Sequence, residues 1–279
     1  MDTSFNRNTL YCEDCIKTLA RLPPNSVDMV LTSPPYDNLR AYEGIRWDFQ
    51  IFTNVANGLT RVLKDGGVLV WVVGDATIKG SETFSSLRQA LYFKDHCGLN
   101  AHDTMIYQRQ GLPLNHRRYE QHFEYMFVFS KGRPKQFSPI RAPCIWAGKT
   151  KLNRSTAASR KEQKAAASTV VNKPTTVKAD KIIGNIWQYA TGGGNSSRDK
   201  IAFQHPAIFP EKLAIDHIKS WSAEGELIYD PFAGSGTTLK AAHLLGRDFL
   251  GSEVSPTYCQ IAQERLANLS PTLLNCIQS

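Results

Sequence analysis

Long apolar runs are missing from this sequence. No stretch of the 279 residues approaches the roughly 20 continuous apolar side chains of a membrane span. The opening residues, MDTSFNRNTL, contain no apolar signal core either. Both absences lead to the expectation of a soluble cytoplasmic protein, without a membrane partner. Cysteine is sparse: there are six, scattered singly apart from Cys12 and Cys15. A lone CxxC with neither a second pair nor nearby histidines is a poor zinc site, so no metal is expected and the thiols read as reduced and buried. Internal repeats are absent as well. Acidic residues are nearly missing from one segment. Between Lys131 and Lys181 stand thirteen Lys or Arg against two acids, whereas the rest of the chain has twenty basic and twenty-three acidic residues. A positive balance confined to one segment favours a phosphate-binding surface over a merely solubilising one.

What is there alternates strand and helix. The signals are a strand near Asn8–Cys12, a helix over Cys15–Leu22 stopped by two prolines, and a buried strand VDMVLT. Residues 48–64 carry apolar side chains at helical spacing, and Asp65-Gly66-Gly67 then reads as a turn into VLVWVVG, a central strand. A helix over 84–97 and strands over 101–109 and 122–130 follow. The pattern fails after Lys131. Residues 155–180 hold almost no large apolar side chains and read as unordered without a partner. Regular structure resumes near Gly184, with a helix over 210–220, the strand GELIYDPF, a helix over 238–245, the strand DFLGSEV and a helix over 256–269. Strand–helix alternation of this kind predicts a doubly wound α/β sheet, here interrupted by a basic insertion.

Two short stretches are too unusual for ordinary packing. YDPFAGSGTT (229–238) places a glycine turn at a strand end, where ligands approach open parallel sheets. Gly234 and Gly236 admit positive φ, and Thr237 and Thr238 open a helix whose amides favour an anionic group. No lysine follows the second glycine and a third glycine is missing, so neither the phosphate-loop nor the dinucleotide pattern is met. Glu253 ends the next strand, where an acid can hold a ribose diol. The second stretch, TSPPY (32–36), makes a rigid corner from two prolines beside an aromatic ring.

Together these stretches resemble the DNA amino-methyltransferases, which methylate an exocyclic base amine. The resemblance extends to Leu10–Leu22, RVLKDGGVLVWVVGD (61–75), FEYMFVFSKG (123–132) and HPAIFPEKL (205–213). The catalytic motif, then a basic insertion, then the cofactor motif is an order similar to the family's permuted beta arrangement. The resemblance implies a Rossmann-like S-adenosylmethionine-dependent methyltransferase sheet with helices on both faces. It divides the chain into a catalytic half (1–132), a target-recognition insertion (133–184) and a cofactor-binding half (185–279).

The cofactor implied is S-adenosyl-L-methionine. Residues carried over for it are Asp14, Thr32, His205, Phe209, Pro210, Asp230, Pro231, Phe232, Ala233, Gly234, Ser235, Gly236, Thr237, Thr238 and Glu253. Ser33, Pro34, Pro35 and Tyr36 are the implied catalytic group. The Ser33 hydroxyl and the Pro34 carbonyl can accept hydrogen bonds from the amine, and Tyr36 offers a face for a flipped base. Arg133, Lys135, Arg141, Lys149, Lys151 and Arg154, with Trp146 among them, are the expected contacts to double-stranded DNA. His116, Arg117 and Arg118 could touch phosphate, and Thr191–Asn195 reads as a hinge loop.

In the family, serine at the first motif position goes mostly with cytosine N4 and aspartate with adenine N6, so Ser33 favours cytosine. Adenine stays open, as do an RNA or protein substrate and a silent DNA-binding module, the last distinguished by failure to bind S-adenosylmethionine. Pro143-Cys144 resembles the nucleophilic dipeptide of ring-carbon methyltransferases, but it lies in the insertion, and amine methylation needs no thiolate. A cognate restriction endonuclease and a monomeric or homodimeric state are further expectations from the family.

Overall fold

The computed structural model describes residues 5–35, 47–109, 119–151, 175–190, 196–197, 199–205 and 208–269. The chain forms two compact units, one of Met1–Ser138 with Asn185–Ser279 and one of Pro139–Gly184.

The larger unit is built on one eight-stranded sheet. In chain order its elements are β1 (Thr9–Cys12), α1 (Cys15–Arg21), β2 (Val27–Thr32), α2 (Phe49–Val62), β3 (Leu63–Val73), α3 (Ser85–Asp95), β4 (Asn100–Gln108) and β5 (Phe123–Ser130). After the smaller unit come β6 (Ile186–Gln188), α4 (Glu211–Trp221), β7 (Leu227–Asp230), α5 (Thr237–Leu244), β8 (Asp248–Glu253) and α6 (Pro256–Ala267). The order across the sheet is β1-β8-β7-β2-β3-β5-β4-β6. Only β5 among these runs antiparallel to its neighbours, β3 and β4. That reversal falls where the sequence itself breaks the strand–helix alternation, between β4 and β5.

Two further differences have local causes. The Asp65-Gly66-Gly67 turn is absorbed into β3, which starts at Leu63 immediately after α2. Gly66 takes φ +79, and the register with β2 slips between Val27 and Met29, so the glycines make a sheet irregularity rather than a loop. α3 begins one residue late because Phe84 adopts a left-handed conformation. Asp75 then caps that helix from outside, its Oδ1 accepting from the Ser86 amide at 2.9 Å.

Hydrophobic burial fixes the layers. Leu19 of α1, Phe52, Val55 and Leu59 of α2, and Phe93 of α3 pack with Leu69 and Trp71 of β3 and Tyr229 of β7 in one core. On the other face α4 and α5 pack together and against the sheet, burying Leu213, Ala214, Ile218, Leu239 and Ala242 completely. The parallel strands end at one carboxyl edge, where β2 and β7 lie side by side in the register Met29–Ile228 and Val30–Tyr229.

The smaller unit is held by two short antiparallel pairs, Arg141–Pro143 with Asp180–Ile182 and Thr150–Lys151 with Thr175–Thr176. Residues 175–176 and 180–182 thus form backbone pairs at the end of the 155–180 stretch read as unordered without a partner, while 155–174 lie outside the described residues. Its boundary lies at 139 rather than 133. Residues 133–138 belong with the larger unit, since the Lys135 amide bonds Gly66 O at 3.0 Å and the Ser138 amide bonds Ser220 O at 2.8 Å. Pro139–Gly184 contains ten Lys or Arg and two acids, a surplus equal to the whole chain's net charge of +8. No helix among the described residues is long and apolar enough to cross a membrane.

Candidate functional site

The two unusual corners meet at the carboxyl edge. Thr32, last residue of β2, donates its hydroxyl to Asp230 Oδ1 of β7 at 2.6 Å. Both side chains are buried, at 0% and 4% exposure. Asp230 also accepts from the Phe232 amide at 3.0 Å, which folds the chain over its carboxylate and starts the turn. Burial pushes the Asp230 carboxyl up to about 6, against the opposing pull of the Thr32 and Thr238 hydroxyls and the Phe232 amide. Ser33, Pro34 and Pro35 follow Thr32 directly, with Pro34 buried and its two neighbours half-buried. The first expected catalytic residues thus stand beside the glycine turn although nearly two hundred positions separate them in sequence.

The turn has little freedom. Gly234 and Gly236 hold φ of +51 and +78. A Cβ on Gly234 would stand 3.1 Å from His205 Nε2, and one on Gly236 would stand 2.9 Å from Ala262 Cβ. Glycine is therefore required for its conformation and also for its size. No side chain caps α5, whose first turn opens toward the corner.

Glu253 ends β8 at 8% exposure, with Oε2 accepting from the Gly234 amide at 2.8 Å and Oε1 from the Ser255 amide at 2.9 Å. Burial raises its pKa, and these amides oppose the rise. The held carboxylate keeps further lone pairs for hydroxyl donors. Asp14 caps α1 through Ile16 N at 2.8 Å, two residues beyond Cys12, the register partner of Glu253. His205 packs over the turn with its ring 4.2 Å from that of Tyr258, while Phe209 is half-buried and Pro210 buried. Phe232 meets Trp47 edge-on at 5.2 Å and Trp71 at 6.3 Å.

These residues fit S-adenosyl-L-methionine, the cofactor that the resemblance implies. A positive-φ turn leaves room against the backbone, a half-satisfied buried acid lies at the next strand end, and an open helix start adds favourable dipole for a carboxylate. Among the described residues no cluster could hold a metal.

Not every expected residue falls here. Lys135 lies along Gly66 near the start of β3, at the edge of the sheet opposite the two corners. Arg133 is exposed close by in sequence. Arg141 and Lys149 belong to the smaller unit, where Arg141 pairs with Asp180 at 2.9 Å and Lys149 Nζ stands 4.3 Å over the Trp146 ring. Ile145 and Trp146 are 92% and 60% exposed there, and Lys151 ends one of its strands. Cys144 lies in the same unit, beyond the strand containing Pro143. Tyr36, Arg154, His116 to Arg118 and residues 191–195 lie outside the described residues.

Sequence reading missed Trp47, Tyr258 and Asp75, and it missed Arg265. The Arg265 guanidinium reaches Ser235 and Thr237 of the turn, with Nη1 3.1 Å from Thr237 Oγ1. Nothing in the terminal helix pattern marks it, because an arginine there reads as surface charge.

A match to the DNA methylase family spans residues 27–264. Orphan methyltransferase M.BamHII of Bacillus amyloliquefaciens is 49% identical over 246 residues, covering 87% of this chain and 89% of that protein. Type II methyltransferase M.BglII of Bacillus subtilis is 28% identical over 268 residues, covering 93% and 69%. PvuII DNA methyltransferase (cytosine-N4-specific) shares the fold with a TM-score of 0.69 at 20% identity, over 98% of this chain and 92% of that one. A DNA modification methylase from Thermus thermophilus, solved with S-adenosyl-L-methionine, gives 0.58 at 26% identity, over 92% and 94%.

Proposed function

This chain belongs to the DNA methylase family, and from that premise we propose that it methylates the exocyclic N4 amine of cytosine at a specific site in double-stranded DNA. S-adenosyl-L-methionine supplies the methyl group as an electrophilic sulfonium. The observation that carries the base assignment is Ser33 at the end of β2, joined through Thr32 to Asp230 of the cofactor turn. Serine, rather than aspartate, stands at the first position of the motif.

The chemistry follows from the nucleophile. An exocyclic amine conjugated to its ring has little free lone-pair density. Acceptors aimed at its two N–H bonds favour a pyramidal nitrogen, whose lone pair then points out of the ring plane. The Ser33 hydroxyl oxygen and the Pro34 carbonyl are the acceptors, and the prolines hold them in place before the base arrives. The nitrogen–carbon bond forms as the carbon–sulfur bond breaks, and the nitrogen then loses one proton. No covalent enzyme intermediate is needed. Reaching the amine requires the base to leave the duplex, and Tyr36 is the stacking surface.

Around the cofactor, Glu253 takes the ribose hydroxyls, Asp14 lies toward the adenine, and His205, Phe209 and Pro210 wall the methionine end. Arg141, Lys149, Lys151 and Arg154 of the smaller unit hold the DNA backbone, with Trp146 adding apolar contact. Lys135 is left out of that surface because it packs at the opposite sheet edge. Relatives named type II methyltransferases support a restriction–modification setting. The relative at 49% identity is named an orphan methyltransferase, so no endonuclease partner is proposed.

The test is product analysis. The protein is incubated with S-adenosyl-L-methionine and unmethylated bacterial DNA, which is then digested to nucleosides for mass spectrometry. N4-methyldeoxycytidine is the expected product. N6-methyldeoxyadenosine would overturn the base assignment and keep the site. In the Ser33→Ala variant turnover should fall by about 10²-fold or more, as when one donor or acceptor is removed from a transition-state site, with cofactor binding retained. Full activity in that variant would refute the catalytic assignment.

A further inference from the structure

Four charged side chains meet behind the glycine turn. Arg265 comes from α6, Lys240 from α5, Glu211 opens α4, and Asp199 precedes the 3-10 turn Lys200–Gln204. The side chains of Arg265 and Lys240 are 0% and 4% exposed. Arg265 Nε bonds Asp199 Oδ2 at 3.1 Å and Nη2 bonds Glu211 Oε1 at 2.8 Å. Its Nη1 donates to the Ser235 carbonyl, to Ser235 Oγ at 3.0 Å and to Thr237 Oγ1 at 3.1 Å. Lys240 Nζ reaches the same two acids, Asp199 at 2.7 Å and Glu211 at 2.8 Å. Ser197 also donates to Glu211 Oε1 at 2.6 Å, and the Glu211 amide bonds Ser196 O at 3.0 Å.

The cluster is neutral, with two cations against two acids. Buried ion pairs lose most of their attraction to desolvation, so net stability is a poor account of it. Geometry is a better one. A guanidinium presents its donors in a rigid planar fork, which an ammonium on a flexible stem does not. One edge of the Arg265 fork faces the acids of the 199–211 segment, and Nη1 faces the turn. That segment carries His205, Phe209 and Pro210, and His205 stands 3.1 Å from the place of a Gly234 Cβ. Arg265 therefore ties together the two walls between which the methionine end of the cofactor must fit. The Lys240 side chain holds the same acids but makes no bond to the turn, which only its backbone amide reaches, at Gly236 O 2.9 Å away.

We propose that Arg265 is a positioning residue for S-adenosyl-L-methionine: it sets the separation of the glycine turn from the His205–Pro210 wall. The inference rests on the assignment of this turn to the cofactor. Arg265 needs no contact with the cofactor or with DNA to act in this way.

The test compares four full-length variants, Arg265→Met, Arg265→Lys, Lys240→Met and Glu253→Gln. Calorimetry measures S-adenosyl-L-methionine affinity well below every unfolding transition, and steady-state kinetics separate kcat from the two KM values. Both Met variants should lose thermal stability, but only Arg265→Met should lose about tenfold or more in affinity, the size of one misplaced hydrogen bond to the cofactor. Its KM for the cofactor should rise in step, with kcat at saturation and KM for DNA nearly unchanged. Arg265→Lys keeps the charge without the fork and should retain most of the loss. If Arg265→Met loses no more affinity than Lys240→Met, the role is structural only and the proposal fails. If Arg265→Met does not fold, Arg265→Lys is held to the same comparison with Lys240→Met. A loss in Glu253→Gln without one at Arg265 overturns the inference and leaves the cofactor assignment standing. No loss in either overturns both.

Discussion

Replacing Thr32 by valine keeps nearly the same shape and removes one hydroxyl, and its consequence is pH-dependent in a calculable way. In the native protein that hydroxyl donates to a buried carboxylate at 2.6 Å, so its loss costs about 1.5–3 kcal/mol, the usual range for hydrogen bonds to charged groups. Asp230 already has a raised pKa, about 6 against an ordinary 3.8. For a group raised on folding, its stabilising contribution is complete below 3.8 and is lost as pH rises through 6. The ionised form thus already costs the fold about 3 kcal/mol at pH 8, because a tenfold change in proton affinity is worth about 1.4 kcal/mol.

Without Thr32, the pKa should climb further by roughly one to two, the equivalent of the lost bond. The wild-type and variant curves should therefore lie close at pH 5, where only a neutral hydrogen bond of about 0.5–1 kcal/mol is lost, and separate to about 1.5–3 kcal/mol by pH 8. Urea denaturation at pH 5, 6, 7 and 8 reads this directly, provided the denaturant slope stays constant between the two proteins. A gap that does not change with pH, or no gap, would refute the claim that Asp230 ionises while held by Thr32. The same variant should weaken S-adenosyl-L-methionine binding, because Asp230 Oδ1 also holds the Phe232 amide that begins the turn.

Other outcomes follow from the same structure. Gly236→Ala forces a Cβ into a backbone with φ +78 and to 2.9 Å from Ala262 Cβ. The left-handed conformation alone costs about 1–2 kcal/mol. Calorimetry should show a lower thermal midpoint and weaker cofactor binding, only partly recovered by adding Ala262→Gly, since that change relieves the contact but not the conformation. Replacing Lys149 and Lys151 by alanine should reduce the slope of log affinity against log salt for duplex DNA by about two, at roughly 0.9 per lost phosphate contact; an unchanged slope would remove them from the DNA surface. His217 is wholly buried, and burial pushes its pKa from 6.5 down to about 3. A depressed pKa means stability that is whole above 6.5 and falls toward acid pH, by about 2 kcal/mol at pH 5. His217→Leu should be free of that loss, so the difference in urea midpoint between it and wild type should change between pH 7 and 5; a constant difference would contradict the burial.

Legibility in the sequence followed range. The elements with strong local signals, such as VLVWVVG in β3 and the proline-started α4, formed close to where periodicity put them. The glycine pair of 66 and 67 misled, because in isolation two glycines read as a turn, whereas Lys131 from a distant strand end bonds both and keeps them in the sheet. The boundary of the basic unit misled for a related reason. Charge begins at Lys131, but packing of residues 133–138 on the larger unit depends on backbone partners at Gly66 and Ser220 that composition cannot reveal.

By itself the sequence determined the α/β alternation, the identity of the two corners, and the placement of all net positive charge in one segment. Each of these is encoded within a few neighbouring residues: a φ that only glycine adopts readily, a φ that proline cannot leave, a run of lysines. Only the tertiary structure decided that the two corners stand side by side, that β5 reverses, and that Arg265 bonds the glycine turn. Thr32 and Asp230 meet across 198 positions, and Arg265 reaches Asp199, Glu211 and Ser235 across 66, 54 and 30. Such contacts depend on strand order and helix packing, which place distant segments together through burial of apolar surface and leave no local pattern at the residues they join.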